Sequence, residues 1–321
     1  MPTTVHFATN RVLDGPPDQL ASYSESVVAP SDPNEVTYGT AFVKDADLTA
    51  DTIGAITSIQ AIGKGGFDQS VIDDLSDPGR NLLVFIHGFD NSFENAITRA
   101  AFNQQWFAAS GLQQAETSVV AFSWPSRGKL ISLPFPSAAY RRDQTTAGQS
   151  GLHIMTFFAN LEPIVTAARA KGNRVFLLAH SMGNWALQAA VENWFSHGNG
   201  DILLFDEVIL AAADEVYNSF DFGPSGRLSG LDRICRRIST YASDKDAVLD
   251  ISMAVNLGAK RLGQDGPHDR SNETRFPPVR YRTVRCGGFT DYKINLGSSH
   301  QYYRRSPGVR MDIANTMAGN V

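Results

Sequence analysis

Cysteine is nearly absent from this chain: Cys235 and Cys286 are the only two among 321 residues. Each sits in a strand-like run, RICRRIST and VRYRTVRC, where the default reading is a buried free thiol rather than half of a structural disulfide. Charge is sparse too, at 19% of residues, with 28 Lys and Arg against 33 Asp and Glu. No basic run interleaved with aromatics appears, so nucleic acid is not an expected partner. No apolar stretch approaches the roughly 18 residues of a membrane span. The start, MPTTVHFATNR, has no charged region followed by a long apolar one, and the expectation is a cytoplasmic protein without a transmembrane segment. H-E-x-x-H and other clustered ligand spacings are also missing, which argues against a metal-dependent hydrolase; neither a metal nor a cofactor is expected.

What is present is apolar material, 42% of the chain, enough for one large core. Residues 1–60 mix short β-like runs (VHFATN, EVTYGTAFV) with turn-rich stretches (DGPPD, APSDPNE), which suits antiparallel strands at a sheet edge. From Asn81 the pattern changes. Apolar strands (NLLVFIHG, SVVAFSW, RVFLLAH, EVILAAAD, RRISTYAS, VRYRTVRC) alternate with helical segments such as SFENAITRAAFNQQWFAAS, GLHIMTFFANLEPIVTAARAKG, MGNWALQAAVENWF and AVLDISMAVNLGAKRLG. Continuously apolar strands followed by helices require a mostly parallel, doubly wound α/β sheet with helices on both faces. We read a single domain, 1–321, with edge strands in 1–60 and the core in 81–318. The loops Ser123 to Ser137 and Phe220 to Gly230 are expected at the sheet's carboxyl edge, where ligands bind in such folds.

RVFLLAHSMGNWALQAAV places Ser181 directly between an apolar strand and an amphipathic helix, with Ala179 two residues before and Gly183 two after. That is the nucleophile elbow of the α/β-hydrolase fold, G-x-S-x-G, with Ala in the first small position. The sharp turn lifts the hydroxyl out of the sheet, and small flanking residues let neighbouring backbones approach. Acyl transfer also needs two backbone donors for the oxyanion, one from the residue after the nucleophile and one from the loop after an earlier strand. Met182 is the first. NLLVFIHGFD supplies the second, assigned to the Phe89 amide, with Asp90 the alternative if the turn is displaced by one residue. His87 and His180 read as structural strand-end histidines.

In this fold the triad follows in the order Ser, Asp or Glu, His. Of the later histidines, His197 ends the elbow helix and His268 lies in the polar stretch GQDGPHDRSNE, whereas His300 follows the last long strand through DYKINLGSSH. His300 is the expected base. Asp214, Asp244 and Asp246 all sit at strand carboxyl ends; the position beyond the next-to-last strand favours TYASDKD, and the later carboxylate, Asp246, is chosen over Asp214 and then Asp244.

Together, VHFATNR, VFIHGFDNSFENAITRA, VAFSWPSRG followed by Tyr140 and Asp143, LLAHSMGNWAL, VILAAAD, TYASDKDAVLDIS and SHQYYRRSP resemble the bacterial α/β hydrolases grouped as domain of unknown function 900. The likeness spans nearly the whole chain. It implies Ser181, Asp246 and His300 as the triad and one catalytic domain, and it implies little about substrate. The chain departs from expectation at Ala179, where Gly is usual at the elbow, and at Ser299, where Gly is common before the base. Trp124 and Arg127 are candidates for the substrate pocket wall, against the alternative of a packed Trp and a solvated Arg.

The function these residues point to is a serine hydrolase acting on a small-molecule ester or lipid through an acyl-enzyme on Ser181, with acyl transfer to an alcohol and thioester cleavage as variants. A Ser at the elbow argues against dehalogenase or epoxide-hydrolase chemistry, which needs Asp there. The rival from another class is a non-catalytic binding or scaffold protein on the same fold.

Overall fold

The computed structural model describes residues 3–44, 54–109, 116–127, 137–223 and 226–320. Its strands are β1 (Thr3–Thr9), β2 (Arg11–Leu13), β3 (Tyr23–Val27), β4 (Thr37–Val43), β5 (Ile56–Lys64), β6 (Arg80–Ile86), β7 (Glu116–Ser123), β8 (Val175–His180), β9 (Phe205–Ala211), β10 (Cys235–Ala242) and β11 (Tyr281–Arg285). The helices are α1 (Gln69–Leu75), α2 (Phe93–Ala109), α3 (Ser137–Gln149), α4 (Gly151–Ala170), α5 (Gly183–Ser196), α6 (Ala247–Val255), α7 (Leu262–Asp265), α8 (Tyr302–Arg305) and α9 (Pro307–Ala318). Nine strands form one sheet in the order β11-β10-β9-β8-β6-β7-β1-β4-β5. From β11 to β1 every neighbouring pair is parallel.

The antiparallel edge expected from the first 60 residues is there as β4 and β5. β1 joins it to the parallel body, pairing antiparallel with β4 and parallel with β7. β2 and β3 form a separate two-stranded sheet.

Alternation along each parallel strand divides the core in two. Leu82, Val84 and Ile86 of β6, with Val175, Leu177 and Ala179 of β8, pack in a cluster that includes side chains of α4 and α5. Leu83, Phe85, Phe176 and Leu178 point the other way, into a cluster with α2 and α9. A strand apolar at every position is thus what two covered faces demand, and each such side chain contributes about 1.5–3 kcal/mol on burial. The strict strand and helix alternation fails once. β9 is followed by β10 with only the short 3-10 turn Leu231–Arg233 between them among the described residues. The stretch AVLDISMAVNLGAKRLG is likewise two helices, α6 and α7, rather than one. Of the loop Ser123 to Ser137, residues 128–136 lie outside the described residues, and of Phe220 to Gly230, residues 224 and 225 do.

No described helix is long and apolar enough to cross a membrane. Cys235 and Cys286 are buried free thiols.

Candidate active site

Four adjacent parallel strands, β6, β8, β9 and β10, bring their carboxyl ends to one place, and the sequence-chosen residues meet there. At the end of β8, Ser181 has φ 55°, left-handed backbone that a side chain rarely adopts and that costs on the order of 1–3 kcal/mol. Hydrogen bonds hold it. The Ser181 amide donates to Ala211 O at 3.0 Å, while its carbonyl accepts from the amides of Asn184 at 3.0 Å and Asp214 at 3.1 Å. Asn184 Nδ2 adds a bond to the same carbonyl at 3.1 Å.

The small residues around Ser181 are required by close approach. A Cβ on Gly183 would stand 2.5 Å from His87 O, and one on Gly88 would stand 2.6 Å from Ser181 Cβ. Gly88 therefore brings the loop after β6 directly against Ser181.

Ser181 Oγ lies 2.7 Å from His300 Nε2, and His300 Nδ1 lies 2.7 Å from Asp246 Oδ2. All three are buried, Asp246 completely. Asp246 is also the N-cap of α6, its Oδ1 accepting from the amides of Val248 at 3.2 Å and Leu249 at 3.1 Å. One carboxylate oxygen is fixed by the helix and the other faces the imidazole, so the carboxylate cannot rotate away. Ser299, just before His300, ties the histidine loop to the same helix: its hydroxyl accepts from the Ala247 amide at 3.3 Å and donates to Leu296 O at 2.7 Å.

The competing candidates are elsewhere. Asp244 is exposed. Asp214 is buried but engaged away from His300, with Oδ1 accepting from Arg261 Nε at 2.9 Å and Ser252 Oγ at 2.5 Å, and Oδ2 from the Tyr140 hydroxyl at 2.8 Å. His197 is exposed at the end of α5, its Nδ1 donating to Asn193 O, and His268 is exposed and paired with Asp221 at 2.8 Å.

In the loop after β6, the Asp90 amide donates to Ser126 Oγ at 2.8 Å, and Ser126 Oγ donates to Asp143 Oδ2 at 2.6 Å. That chain occupies the amide considered as the alternative oxyanion donor. Arg11, fully buried at the end of VHFATNR, binds the same region through Asn91 O at 2.9 Å and Trp124 O at 2.7 Å. Burial lowers its pKa to about 9.

Trp124 and Arg127 do not line the cavity at Ser181. Trp124 is fully buried, stacked on His87 at 5.1 Å with its Nε1 donating to His87 O at 2.8 Å. Arg127 reaches instead to Glu25 O and Ser26 Oγ. They are the packed Trp and outward Arg of the alternative reading, because Trp124 supports the loop from beneath while Arg127 points to β3.

The cavity has a volume of about 240 Å³ and reaches Ser181, His300 and Phe89, with Tyr140, Asp214 and Ser252 on one wall. Sequence reasoning missed this wall, whose members are 38 to 112 residues apart in sequence. It also gave His180 no task toward the base. His180 Nε2 donates to His300 O at 3.2 Å, and the ring packs between His300 and Tyr303 at 4.9 and 4.6 Å.

Burial first, then Arg11, holds His87 down to about pKa 3, and burial followed by His300 and Arg99 holds His180 well below the ordinary value; burial also lowers His153. Burial raises Glu215 to about 7 despite its Arg227 partner. Below pH ~6.5 the unfolded chain protonates three histidines more readily than the folded chain does, so stability falls with falling pH. Glu215 works in the opposite sense, since the folded state holds its proton between about 4.5 and 7. With His87 and His180 held far down against one strongly raised carboxyl, unfolding should take up protons on balance, and stability should fall from pH 6.5 to 5.5. Denaturant titrations at pH 6.5 and 5.5 measure this; equal stabilities would contradict it.

Comparison with curated proteins finds no match to this chain. The family model described as alpha/beta hydrolase of unknown function (DUF900) matches residues 64–315, spanning every strand from β6 onward together with Ser181, Asp246 and His300; the chain belongs to this family.

Proposed function

We propose that the protein is a serine hydrolase that cleaves carboxylic esters through an acyl-enzyme on Ser181. The observation that carries this reading is the unbroken line from Asp246 through His300 to Ser181, two contacts of 2.7 Å each, opening on a cavity. His300 Nε2 takes the Ser181 proton as Oγ bonds to the acyl carbon. Asp246 keeps the other ring proton on Nδ1 and stabilises the imidazolium without taking that proton. The carbonyl oxygen, now negative, accepts from the amides of Met182, which follows Ser181 directly, and Phe89, which lines the same cavity. His300 returns its proton to the departing alcohol, and a water, activated by the same imidazole, releases the acid.

A fluorophosphonate probe reports on the nucleophile alone. Rapid labelling, mapped to the peptide containing Ser181 and slowed by p-nitrophenyl esters of two to eight acyl carbons that the protein also turns over, is the expected result. An intact, folded protein that neither labels nor hydrolyses any ester would instead be a binding protein on a hydrolase fold.

A further inference from the structure

Arginine gathers at the cavity although the chain is acidic overall, with a formal net charge of -5. Arg99, Arg304 and Arg305 line the space over Ser181, against two carboxylates, Asp90 and Asp214. Asp214 is paired with Arg261 at 2.9 Å beneath the wall. Arg261 below the wall and Asp246 behind His300 offset each other, so the surplus is that of the lining itself, three guanidinium groups to two carboxylates.

The cationic groups are also clustered on one side. Arg304 Cζ lies 5.8 Å from the centre of the Phe102 ring, and Phe102 follows Arg99 by three residues on α2, the spacing that puts two side chains on one helix face. Arg304 is only 6% exposed and is steadied by its Nε bond to Gln301 Oε1 at 2.9 Å. A charge so placed acts through little water and loses less to screening than a surface one. Arg99 and Arg304 both bear on His180, helping to depress its pKa after burial and His300. His180 packs against His300, and α8, which carries Arg304 and Arg305, begins two residues after His300. The cationic side is thus the side of the base. His300 must hand its proton to the leaving alcohol, so the alcohol half of a substrate lies there.

Resting on the esterase reading above, we propose that the substrate is an ester whose alcohol half carries a carboxylate or phosphate group, recognised by Arg99, Arg304 and Arg305. The guanidinium fork matches both anions in geometry. Phe89, Val248 and Ile251 supply apolar wall for the rest of the molecule.

Three butyrate esters of para-substituted phenols, carrying carboxamide, carboxylate or phosphonate, test this. Each kcat/KM is divided by the alkaline hydrolysis rate of the same ester to remove leaving-group differences. At least one anionic ester should exceed the carboxamide by about tenfold or more at low ionic strength, and the advantage should shrink as salt shortens the screening length toward ~3 Å at 1 M. Which anion leads separates a carboxylate from a phosphate ligand. Arg304→Gln and Arg305→Gln should each lower that ratio at least threefold. A second pair places the charge on the acyl side: p-nitrophenyl hemiglutarate against p-nitrophenyl pentanoate should show no anion preference, and a preference for hemiglutarate overturns the alcohol-side assignment. A readout without turnover is protection of Ser181 from the fluorophosphonate by 4-hydroxybenzoate or 4-hydroxyphenylphosphonate, with 4-hydroxybenzamide protecting less. Labelling and hydrolysis with no anion preference in either measurement defeats this proposal and leaves the esterase reading standing. Loss of labelling altogether defeats the esterase reading itself.

Discussion

Ser181→Ala is expected to remove about six orders of magnitude of kcat for any ester the protein hydrolyses, and to abolish fluorophosphonate labelling. The size follows from the unit: with Oγ gone, His300 and Asp246 have no nucleophile to activate, and what survives is the contribution of the backbone donors and the cavity. The fold should be unaffected. Ser181 is 4% exposed, and its hydroxyl contacts His300 Nε2 while its amide and carbonyl hold the elbow. Alanine tolerates φ 55° about as poorly as serine, so the backbone cost does not change. The melting temperature should stay within a few degrees of wild type. His300→Ala should lose nearly as much activity, since removal of one member of a concerted unit costs about as much as removal of all. A folded Ser181→Ala protein retaining even a tenth of the activity would falsify the assignment of the nucleophile.

The elbow was legible in the sequence because its requirements are local. An apolar strand, a Ser flanked by small residues and an amphipathic helix occupy one continuous segment, and the structure gives each a reason, down to the contact that Gly183 makes possible with His87 O. The order of triad residues is a property of the sheet, so His300 and Asp246 could be placed on strand ends without knowing any distance between them. The parallel body was legible for a similar reason. Strands such as LLVFI are apolar at every position only when both faces are covered, and the two core clusters divide the residues of β6 in strict alternation.

Failures arose where partners are distant in the chain. Tyr140, Asp214, Ser252 and Arg261 bond to one another over separations of 38 to 112 residues, and nothing in their local sequence marks them as one wall. Trp124 looked like a pocket residue because it follows a strand's carboxyl end. Its indole turns under the loop after β6 instead, where the His87 carbonyl offers it an acceptor. α3 leaves no mark in the sequence, because SAAYRRDQTTAGQ is too polar to show an apolar face. The VHFATNR segment carried a signal that composition hid: an arginine beside a strand end reads as solvated, yet Arg11 is buried and fastens the segment to the loop that faces Ser181.

Asp246→Asn separates the triad acid from its rivals, and the structure sharpens what it should do. An asparagine can keep its carbonyl oxygen under the Val248 and Leu249 amides, preserving the cap of α6. Its amino group then faces His300 Nδ1. Two donors cannot face one another, so the imidazole must move its proton to Nε2, where it points at Ser181 Oγ and cannot accept. The expected loss is about 10⁴-fold in kcat with a melting temperature close to wild type. Asp214→Asn should show the reverse pattern. It leaves His300 untouched, so kcat per folded molecule should stay within about tenfold of wild type. Arg261, fully buried, loses the carboxylate it pairs with, and an unpaired buried charge costs about 3–5 kcal/mol of stability. Asp244→Asn, at an exposed position, should change neither quantity appreciably. The three variants therefore need two measurements each, kcat normalised to active sites and unfolding free energy. A large rate loss in folded Asp214→Asn, with Asp246→Asn nearly as active as wild type, would move the acid to the end of β9 and make the 2.7 Å contact between Asp246 and His300 incidental to the chemistry.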